Sequence, residues 1–294
     1  MIIDWHNFGY SILALKLGPK HPLVTVAKVY EYVFAQFADV HFTVTNAMAR
    51  ELRSRISAAS PILTLHDRPA EIYQPLDNVM RLGFLQRYAT IAPHLDALVQ
   101  GKARLLVSST SWTADEDFSI FLQALQHYSN EAISTQPQLP ELVVVITGKG
   151  PLKNRYLSQV ERMKITDQLE MVHIHTDWLS FPDYASLLGS ADLGVSLHMS
   201  SSGVDLPMKV VDMFGAGLPV LGWGNFAAWP ELVKEGINGR GFSSAEEMAA
   251  ILCELFIPGN PQLARLRKGA LKESERRWDD EWNPVACKIF QIDI

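Results

Sequence analysis

The stretch SSGVDLPMKVVDMFGAGLPVL, residues 201–221, predicts a loop, a helix and the start of a strand in close succession. Asp205 is a residue type that caps helix N-termini, and Pro207 is tolerated in a first turn because its missing N–H would be unpaired there. Gly215 and Gly217 predict the end of the helix, and the apolar residues from 219 onward begin a strand. A strand that follows a helix this closely is typical of an α/β fold.

Outward from this stretch, short β-branched or leucine-rich runs alternate with amphipathic segments along the chain. The runs predict strands at residues 2–5, 40–44, 62–65, 103–108, 142–147, 171–174, 193–197 and 219–221. The amphipathic segments predict helices at residues 24–36, 47–57, 115–127, 152–163, 182–188, 207–214 and 246–256. Several strands are continuously apolar, as a sheet covered on both faces requires. The predicted fold class is therefore α/β, with parallel sheets and helices on both faces.

Residues 67–102 interrupt the alternation and divide the chain. They contain Pro69, Pro75, Pro93 and Gly101 but no clear strand pattern. We predict an interdomain connection at residues 76–101, with a short helix near residues 79–85. The C-terminal part of a first domain then spans 1–75, a second α/β domain spans 102–275, and a helical tail spans 276–294. Because a buried strand such as 2–5 needs neighbours on both sides, we expect preceding sequence to be missing.

The composition excludes several classes of protein. With a formal net charge of −6, the chain lacks the basic face that nucleic-acid binding needs, so no nucleic-acid partner is expected. Cys253 and Cys287 are too few for a disulfide framework and have no metal-ligand spacing, which favours a reducing compartment. No apolar run approaches the roughly 20 residues that span a bilayer, and the first residues lack a signal-peptide pattern.

The predicted helix near residue 207 has the features of an anion site. Gly203 lets the backbone approach a ligand, and a helix N-terminus offers N–H groups and a positive dipole end. Lys209 adds a positive charge, and Asp212 lies one turn further on the same helix face, close to Lys209. The loop follows the strand at 193–197, and open α/β sheets bind ligands at the carboxyl ends of strands. On residue types alone, a capped helix with a solvated Lys–Asp pair remains an equal alternative.

Longer motifs separate these two interpretations. Residues 207–220 resemble the donor-site helix of GT-B glycosyltransferases, whose pattern is Pro-x-Lys-x-x-(Glu/Asp)-x-x-(small)-x-Gly-x-Pro-Val. The segments VVVITGKGPLK and PELVKEGINGRGF resemble the Gly-x-Gly-Pro loop and the closing element of that nucleotide domain. The segments DWHNFGYS, VTNAM, SSTSWTADEDFSI and GSADLGVSLH are similar to the chitobiosyldiphosphodolichol β-mannosyltransferases. The resemblance covers nearly the whole chain and implies a GT-B fold of two Rossmann-like domains, the first incomplete at its N-terminus.

The resemblance also implies an activity, partners and a location. Members of this family transfer mannose from GDP-mannose to dolichol-diphosphate-linked chitobiose, with inversion to a β-1,4 linkage, early in lipid-linked oligosaccharide assembly for N-glycosylation. The implied location is the cytosolic face of the endoplasmic reticulum membrane, with membrane association through the missing N-terminal segment. A complex with other early mannosyltransferases is a further implied partner, and no cofactor or metal is expected.

Two alternatives stay open at this point. The chain is also consistent with a truncated, non-catalytic paralogue that binds nucleotide or a partner enzyme, because its donor motifs are intact while its acceptor half is incomplete. It is also consistent with another GT-B protein, such as a retaining transferase or a nucleotide-sugar epimerase.

The positions that match the family's donor motifs follow individual strands. They are Ser109, Thr110 and Trp112 for the diphosphate, Gly148, Lys149 and Gly150 near the nucleotide, Asp177 and Trp178 for guanine, and His198, Gly203, Lys209 and Asp212 around the donor. In the family pattern, the acidic residue at the position of Asp212 binds the ribose hydroxyls. Trp178 is equally consistent with a core aromatic.

Two further groups of polar residues need an interpretation. Residues 113–116 predict a capping box, so we assign the acidic run 115–117 to a first helical turn and not to a metal. His173 and His175 share a strand face without a third ligand at suitable spacing, which favours packing.

The first domain carries the candidate for proton transfer. Asp4 and His6 lie at the carboxyl end of the strand at 2–5, and an imidazole is suited to accept a proton near neutral pH. We predict that His6 is the catalytic base or a sugar ligand, with Asp4 and Asn7 orienting its ring. The alternative is a histidine that only structures its own loop.

Overall fold

The computed structural model describes residues 1–57, 60–134 and 138–291, which form two α/β units joined by a helical connection. The first unit contains β1 (Ile2–Trp5), α1 (Gly9–Leu17), α2 (Pro22–Ala35), β2 (Val40–Thr43), α3 (Asn46–Arg55) and β3 (Ile62–Thr64). The connection contains α4 (Asn78–Arg87), a 3₁₀ turn (Ala92–His94) and α5 (Leu95–Val99).

The second unit is larger and the C-terminal helices follow it. Its elements are β4 (Ala103–Ser109), α6 (Phe118–Ser134), β5 (Glu141–Thr147), α7 (Lys153–Ile165), β6 (Val172–Asp177), α8 (Phe181–Ser190), β7 (Leu193–Ser196), α9 (Met208–Gly215), β8 (Val220–Trp223), α10 (Trp229–Leu232), β9 (Gly239–Phe242) and α11 (Ala245–Phe256). The chain ends with α12 (Gln262–Ser274) and α13 (Trp278–Phe290). In the described part of the chain, no helix combines the length and the hydropathy needed to cross a bilayer.

Both sheets are parallel throughout, which confirms the predicted fold class. The small sheet has the strand order β1-β2-β3, and the large sheet has the order β6-β5-β4-β7-β8-β9. The large sheet therefore grows outward in two directions from the β4–β7 pair. A crevice opens at such a reversal because the loops after the two central strands leave on opposite faces. The loops after β4 and β7 are those that carry the predicted donor motifs.

The predicted strands all form, and one more completes the large sheet. Strand β9 pairs with β8 but has the sequence GRGF, which lacks the β-branched pattern of a strand. The glycines are explained by packing, because a Cβ on Gly241 would lie 3.0 Å from the indole nitrogen of Trp229. Helices α1, α5, α10 and α12 are likewise additional to the predicted set.

The C-terminal tail returns to the first unit. Helix α13 buries Ala286 against Val40 and Phe42 of β2, and Arg68 forms ion pairs with Glu273 and Glu281. The predicted tail at 276–294 is thus helical up to residue 290, while residues 292–294 lie outside the described part. Because of this contact, the two units are joined by the tail as well as by the connection at 76–101.

Candidate functional site

A cavity of about 460 Å³ opens at the strand reversal of the large sheet. Its walls come from the ends of β4 and β5, the loop after β6, helix α8 and the first turn of α9. The lining residues are Ser109, Thr110, Thr147, Gly148, Trp178, Leu179, Phe181, Tyr184 and Lys209. Five of the predicted donor residues therefore line one cavity: Ser109, Thr110, Gly148, Trp178 and Lys209. The wall combines aromatic rings, hydroxyl groups and one ammonium group, as a small-molecule site requires.

Glu116 organises the mouth of this cavity from inside the protein. Its side chain is 3% exposed, and it accepts hydrogen bonds from the hydroxyl of Thr110 and the backbone N–H of Ser111, the latter at 2.8 Å. Its other oxygen is paired with Lys209 Nζ. A buried carboxylate needs such partners because its desolvation is otherwise costly. Glu116 thereby fixes the position of Lys209 relative to the loop after β4.

The predicted role of the acidic run is therefore wrong. Helix α6 begins at Phe118, so residues 113–116 form no capping box, and Asp117 instead accepts a hydrogen bond from the backbone N–H of Ser119 at 3.0 Å. The run lies in the loop before the helix, and Glu116 is turned inward to Lys209. Within the ranges that the structure describes, no group of three or more His, Cys, Asp or Glu side chains is arranged to hold a metal ion.

Lys209 and Asp212 do not form the pair that their spacing predicts. Lys209 is paired with Glu116, and Asp212 is hydrogen-bonded to the hydroxyl of Tyr73, which lies just before the connection. Burial raises the pKa of Asp212 to about 7, although the hydrogen bond from Tyr73 opposes the shift. The carboxyl is therefore poised to change its charge near neutral pH.

Asp205 does not cap α9, contrary to the sequence-based prediction. It accepts hydrogen bonds from the ring of His198 at 2.9 Å and from the hydroxyl of Ser200, and only 6% of the residue is exposed. The N-cap residue of α9 is Pro207, which provides no side-chain acceptor. Asp205 thus rigidifies the loop before α9 and ties down His198, while the N-terminus of α9 carries no side-chain cap.

Gly148 and Gly150 are required by the contact between two loops. A Cβ on Gly148 would lie 1.8 Å from the carbonyl oxygen of Thr110, and a Cβ on Gly150 would lie 1.8 Å from that of Ser111. Gly148 also has a φ of 137°, which L side chains rarely adopt. Gly203 has a φ of 76° but open space around it. Gly148 and Gly150 therefore let their loop pack closely on the loop after β4, and their predicted place near the nucleotide stays a prediction.

The side chain of Trp112 supports this contact from the core. It is 1% exposed, packs on the ring of Phe118, and its indole N–H donates to the carbonyl oxygen of Gly148 at 3.3 Å. The predicted diphosphate contact by Trp112 is thus limited to its backbone, because the ring is enclosed by other side chains.

The loop after β6 presents an aromatic ring at the cavity. Trp178 is 61% exposed, so the core alternative for this residue is excluded, and Lys149 Nζ lies 4.3 Å from its ring centroid. Asp177 is instead bonded to the connection, accepting from the hydroxyls of Tyr88 at 2.8 Å and Thr90 at 3.2 Å. Although burial opposes the effect, these hydrogen bonds hold the pKa of Asp177 below its usual value. Trp178 and Lys149 face the cavity entrance, and Asp177 anchors their loop.

His6 lies between two carboxylates at the carboxyl end of β1. Its Nε2 is 3.2 Å from Asp4 and its Nδ1 is 3.4 Å from Asp67. Burial raises the pKa of Asp67. The sequence does not indicate this residue as part of the site, because it lies close to Pro69 and outside any recognisable motif. The predicted role of Asn7 is wrong, since its amide donates to Ser201 in the second unit at 3.4 Å. Asp4 and Asp67 therefore orient the imidazole.

Several polar contacts join the first unit to the loop before α9. Ser11 and Ser201 hydroxyls are 3.2 Å apart, and the hydroxyl of Thr45 donates to the carbonyl oxygen of Val204 at 2.5 Å. Glu231 of α10 accepts a hydrogen bond from the backbone N–H of Asn46 at 2.6 Å, so Asn46 has a structural role at the start of α3. The loop that precedes Lys209 is thus held against the unit that carries His6.

The histidines of β6 face the connection and not the cavity. His175 Nε2 lies 3.1 Å from His94 Nε2, and His173 is 3.1 Å from Glu141. These contacts support the packing interpretation of His173 and His175.

Comparison with known proteins adds a family and several relatives. Residues 102–257 match the family "Glycosyl transferases group 1". A protein of Arthroderma benhamiae named "Chitobiosyldiphosphodolichol beta-mannosyltransferase" is 54% identical over 288 residues, covering 97% of this chain and 64% of the relative. Proteins with the same name in Mus musculus and Homo sapiens are 44% and 41% identical, covering 99% and 96% of this chain. The chain spans 64% of the length of the mouse relative and 65% of the human one.

The fold is also found among solved structures. Anabaena Alr3699/HepE in complex with UDP and glucose has a TM-score of 0.68 at 15% identity, covering 99% of this chain and 71% of that one. Sucrose-phosphate synthase from Thermosynechococcus elongatus has a TM-score of 0.66 at 11% identity, covering 99% and 66%. At these identities the similarity concerns the fold alone.

Proposed function

Because the chain belongs to the family "Glycosyl transferases group 1", we propose that it transfers mannose from GDP-mannose to chitobiose linked through diphosphate to dolichol. The shared name of relatives that are 41–54% identical supports the acceptor and the sugar. The product of this reaction is a β-1,4 linkage formed early in lipid-linked oligosaccharide assembly. The proposed place of action is the cytosolic face of the endoplasmic reticulum membrane, in association with other early mannosyltransferases.

The observation that carries this proposal is the position of Lys209. Its ammonium group lies at the cavity wall in the first turn of α9, whose N-terminus has no side-chain cap. Peptide N–H groups and the dipole at a helix N-terminus favour an anion, and a lysine adds a full positive charge. A diphosphate bound here gains stabilisation as negative charge develops on the departing GDP. Glu116 keeps Lys209 in place before the donor arrives.

The remainder of the donor fits around this point. Asp212, one turn further along α9, is suited to accept hydrogen bonds from ribose hydroxyls when it is ionised. Trp178 offers an exposed ring on which a base can stack, and Lys149 lies over that ring. The base, ribose and diphosphate then follow the cavity from the loop after β6 to the start of α9.

The proposed chemistry is a single in-line displacement. The donor sugar is α-linked, so a β product requires attack by the acceptor hydroxyl oxygen on the opposite face of the anomeric carbon. The bond from that carbon to the phosphate oxygen breaks, and GDP leaves with the electron pair. The proton of the acceptor hydroxyl passes to a base, for which His6 is the proposed group. Asp4 and Asp67 stabilise the resulting imidazolium.

A transfer assay tests this function directly. The chain is incubated with GDP-mannose and a lipid-diphosphate-linked chitobiose, and the trisaccharide is digested with linkage-specific mannosidases. We expect a β-linked product whose formation GDP inhibits more strongly than UDP does. Binding of GDP without any transfer would support the non-catalytic alternative, and equal inhibition by UDP would contradict the proposed donor.

A further inference from the structure

The hairpin of α1 and α2 exposes a large continuous apolar surface. Its outward residues, each at least 47% exposed, are Ile12, Leu15, Leu23, Val26, Val29, Tyr30, Val33, Phe34 and Phe37. Single exposed apolar residues are ordinary on protein surfaces, but a contiguous patch of this size marks a surface that a partner covers. We name this group the hairpin patch.

The patch is displayed by a well-anchored element. On the inner side, Val24 and Ala35 are buried against the first unit. Glu31 accepts a hydrogen bond from the backbone N–H of Tyr10 at 2.9 Å, and the hydroxyls of Tyr10 and Tyr32 are 3.1 Å apart. Helix α2 therefore has an apolar inner face that packs in the core and a second apolar face that the described residues leave uncovered.

The exposed charges of the hairpin itself are positive, while Asp39, which follows it, is paired with the N-terminal amine of Met1. Lys16 and Lys20 are exposed at the end of α1 and in the turn, and Lys28 Nζ lies 5.2 Å from the ring of Tyr10. The acidic residue of the hairpin, Glu31, is turned inward to the N-terminus of α1. The chain as a whole has a net charge of −6, so the hairpin is a basic region on an acidic protein. This combination of apolar residues and lysines is complementary to an anionic lipid surface.

We propose that the hairpin of α1 and α2 lies flat on an anionic membrane surface, with the hairpin patch at the boundary between headgroups and acyl chains. Lys16 and Lys20 reach lipid phosphates with their ammonium groups, while their methylene stems lie along the apolar surface. The contact is interfacial and does not require a helix that crosses the bilayer.

The position of the hairpin gives this contact a consequence for the site. Helix α1 begins three residues after His6, and Ser11 in its first turn contacts Ser201 of the loop before α9. The hairpin patch therefore belongs to the element that joins His6 to this contact with the second unit. The delivery of a lipid-linked acceptor to His6 rests on the proposed function, whereas the membrane contact itself does not.

Vesicle co-sedimentation tests the contact. We use the chain with vesicles of phosphatidylcholine alone or with about 30% phosphatidylserine, at low and high salt. The double variant V26Q/V29Q removes two exposed apolar side chains, and V79Q/I165Q does the same on the outer surfaces of α4 and α7. We expect V26Q/V29Q to lower partitioning at least about tenfold and V79Q/I165Q to leave it unchanged. Each lysine replaced in K16Q/K20Q lowers binding to the anionic vesicles about fivefold.

The same variants separate the outcomes. Calorimetric titration with GDP should give the same affinity for V26Q/V29Q as for the unchanged chain, which also shows that the variant is folded. Partitioning that is equal for V26Q/V29Q and V79Q/I165Q would overturn the proposal. A dimer that V26Q/V29Q converts to a monomer, without vesicle binding, would assign the hairpin patch to a second copy and likewise overturn it. Vesicle binding in a chain that does not bind GDP would uphold the contact and contradict the proposed function.

Discussion

Replacement of Asp212 by asparagine should abolish a pH dependence in GDP binding. Burial raises the pKa of Asp212 to about 7, so its ionised fraction is about one tenth at pH 6 and about nine tenths at pH 8. If ribose hydroxyls bind only to the ionised form, the apparent affinity follows this fraction. GDP affinity should therefore fall about tenfold from pH 8 to pH 6, equivalent to about 1.4 kcal/mol.

Calorimetric titration at both pH values, with the unchanged chain and with Asp212→Asn, measures this effect. The β-phosphate of GDP also titrates, but it is present in both experiments, so the affinity of the unchanged chain divided by that of the variant isolates Asp212. We expect the affinity of the unchanged chain relative to that of the variant to fall about tenfold from pH 8 to pH 6, because the variant has already lost the carboxylate. The variant Tyr73→Phe removes a hydrogen bond to Asp212 that lowers the pKa, so it should move the midpoint of the profile to higher pH. An affinity ratio that stays constant from pH 6 to pH 8 would refute the reasoning.

Three further predictions follow from the same geometry. Because the folded-state pKa of Asp212 lies above the unfolded value of about 4, the folded protein binds more protons between pH 4 and 7, and its stability should fall as the pH rises through this range. Denaturant titration should show that Asp212 lowers the free energy of unfolding by at most about 4 kcal/mol over this range. Asp212→Asn should remove this pH dependence, and identical pH profiles of the unchanged chain and the variant would contradict the prediction. Gly148→Ala should destabilise the protein by more than about 2 kcal/mol in thermal unfolding, since its Cβ would overlap Thr110 at a positive φ. The matched variant Gly83→Ala, with nothing within 4 Å, should be neutral or slightly stabilising, and equal effects of the two would refute the account. Glu116→Gln should weaken GDP binding about tenfold by releasing Lys209 from its charged partner, and unchanged binding would show that this ion pair does not position the lysine.

The secondary structure of the large sheet could be predicted because burial on both faces leaves a strong local signal. Residues 142–146 of β5 are an unbroken run of apolar residues, and all five side chains are buried. The end of α9 was equally readable, since Gly217 adopts a φ of 65° that favours glycine. Strand β9 lacks such a signal, because Gly241 leaves room for the ring of Trp229 and Gly239 for the backbone of Val220, both on other segments.

The side-chain partners of the site residues could not be predicted from sequence spacing. Lys209 and Asp212 are neighbours on one helix, yet each side chain bonds to a residue far away in sequence, Glu116 and Tyr73. Asp205 has the residue type and position of a cap but bonds to His198, because the backbone before α9 turns its side chain inward. Asp67 follows β3 and approaches His6 only when the chain after β3 lies against the end of β1. Such contacts depend on how separate loops meet, which no local pattern records.

The measurement that tests the central claim most directly is GDP binding to Lys209→Gln. Lys268 is an exposed lysine on α12, away from the cavity, so Lys268→Gln is the matched control. We predict that Lys209→Gln weakens GDP binding by tenfold or more, while Lys268→Gln leaves the affinity as it is. Equal affinities of the two variants would contradict the assignment of this helix N-terminus as the diphosphate site.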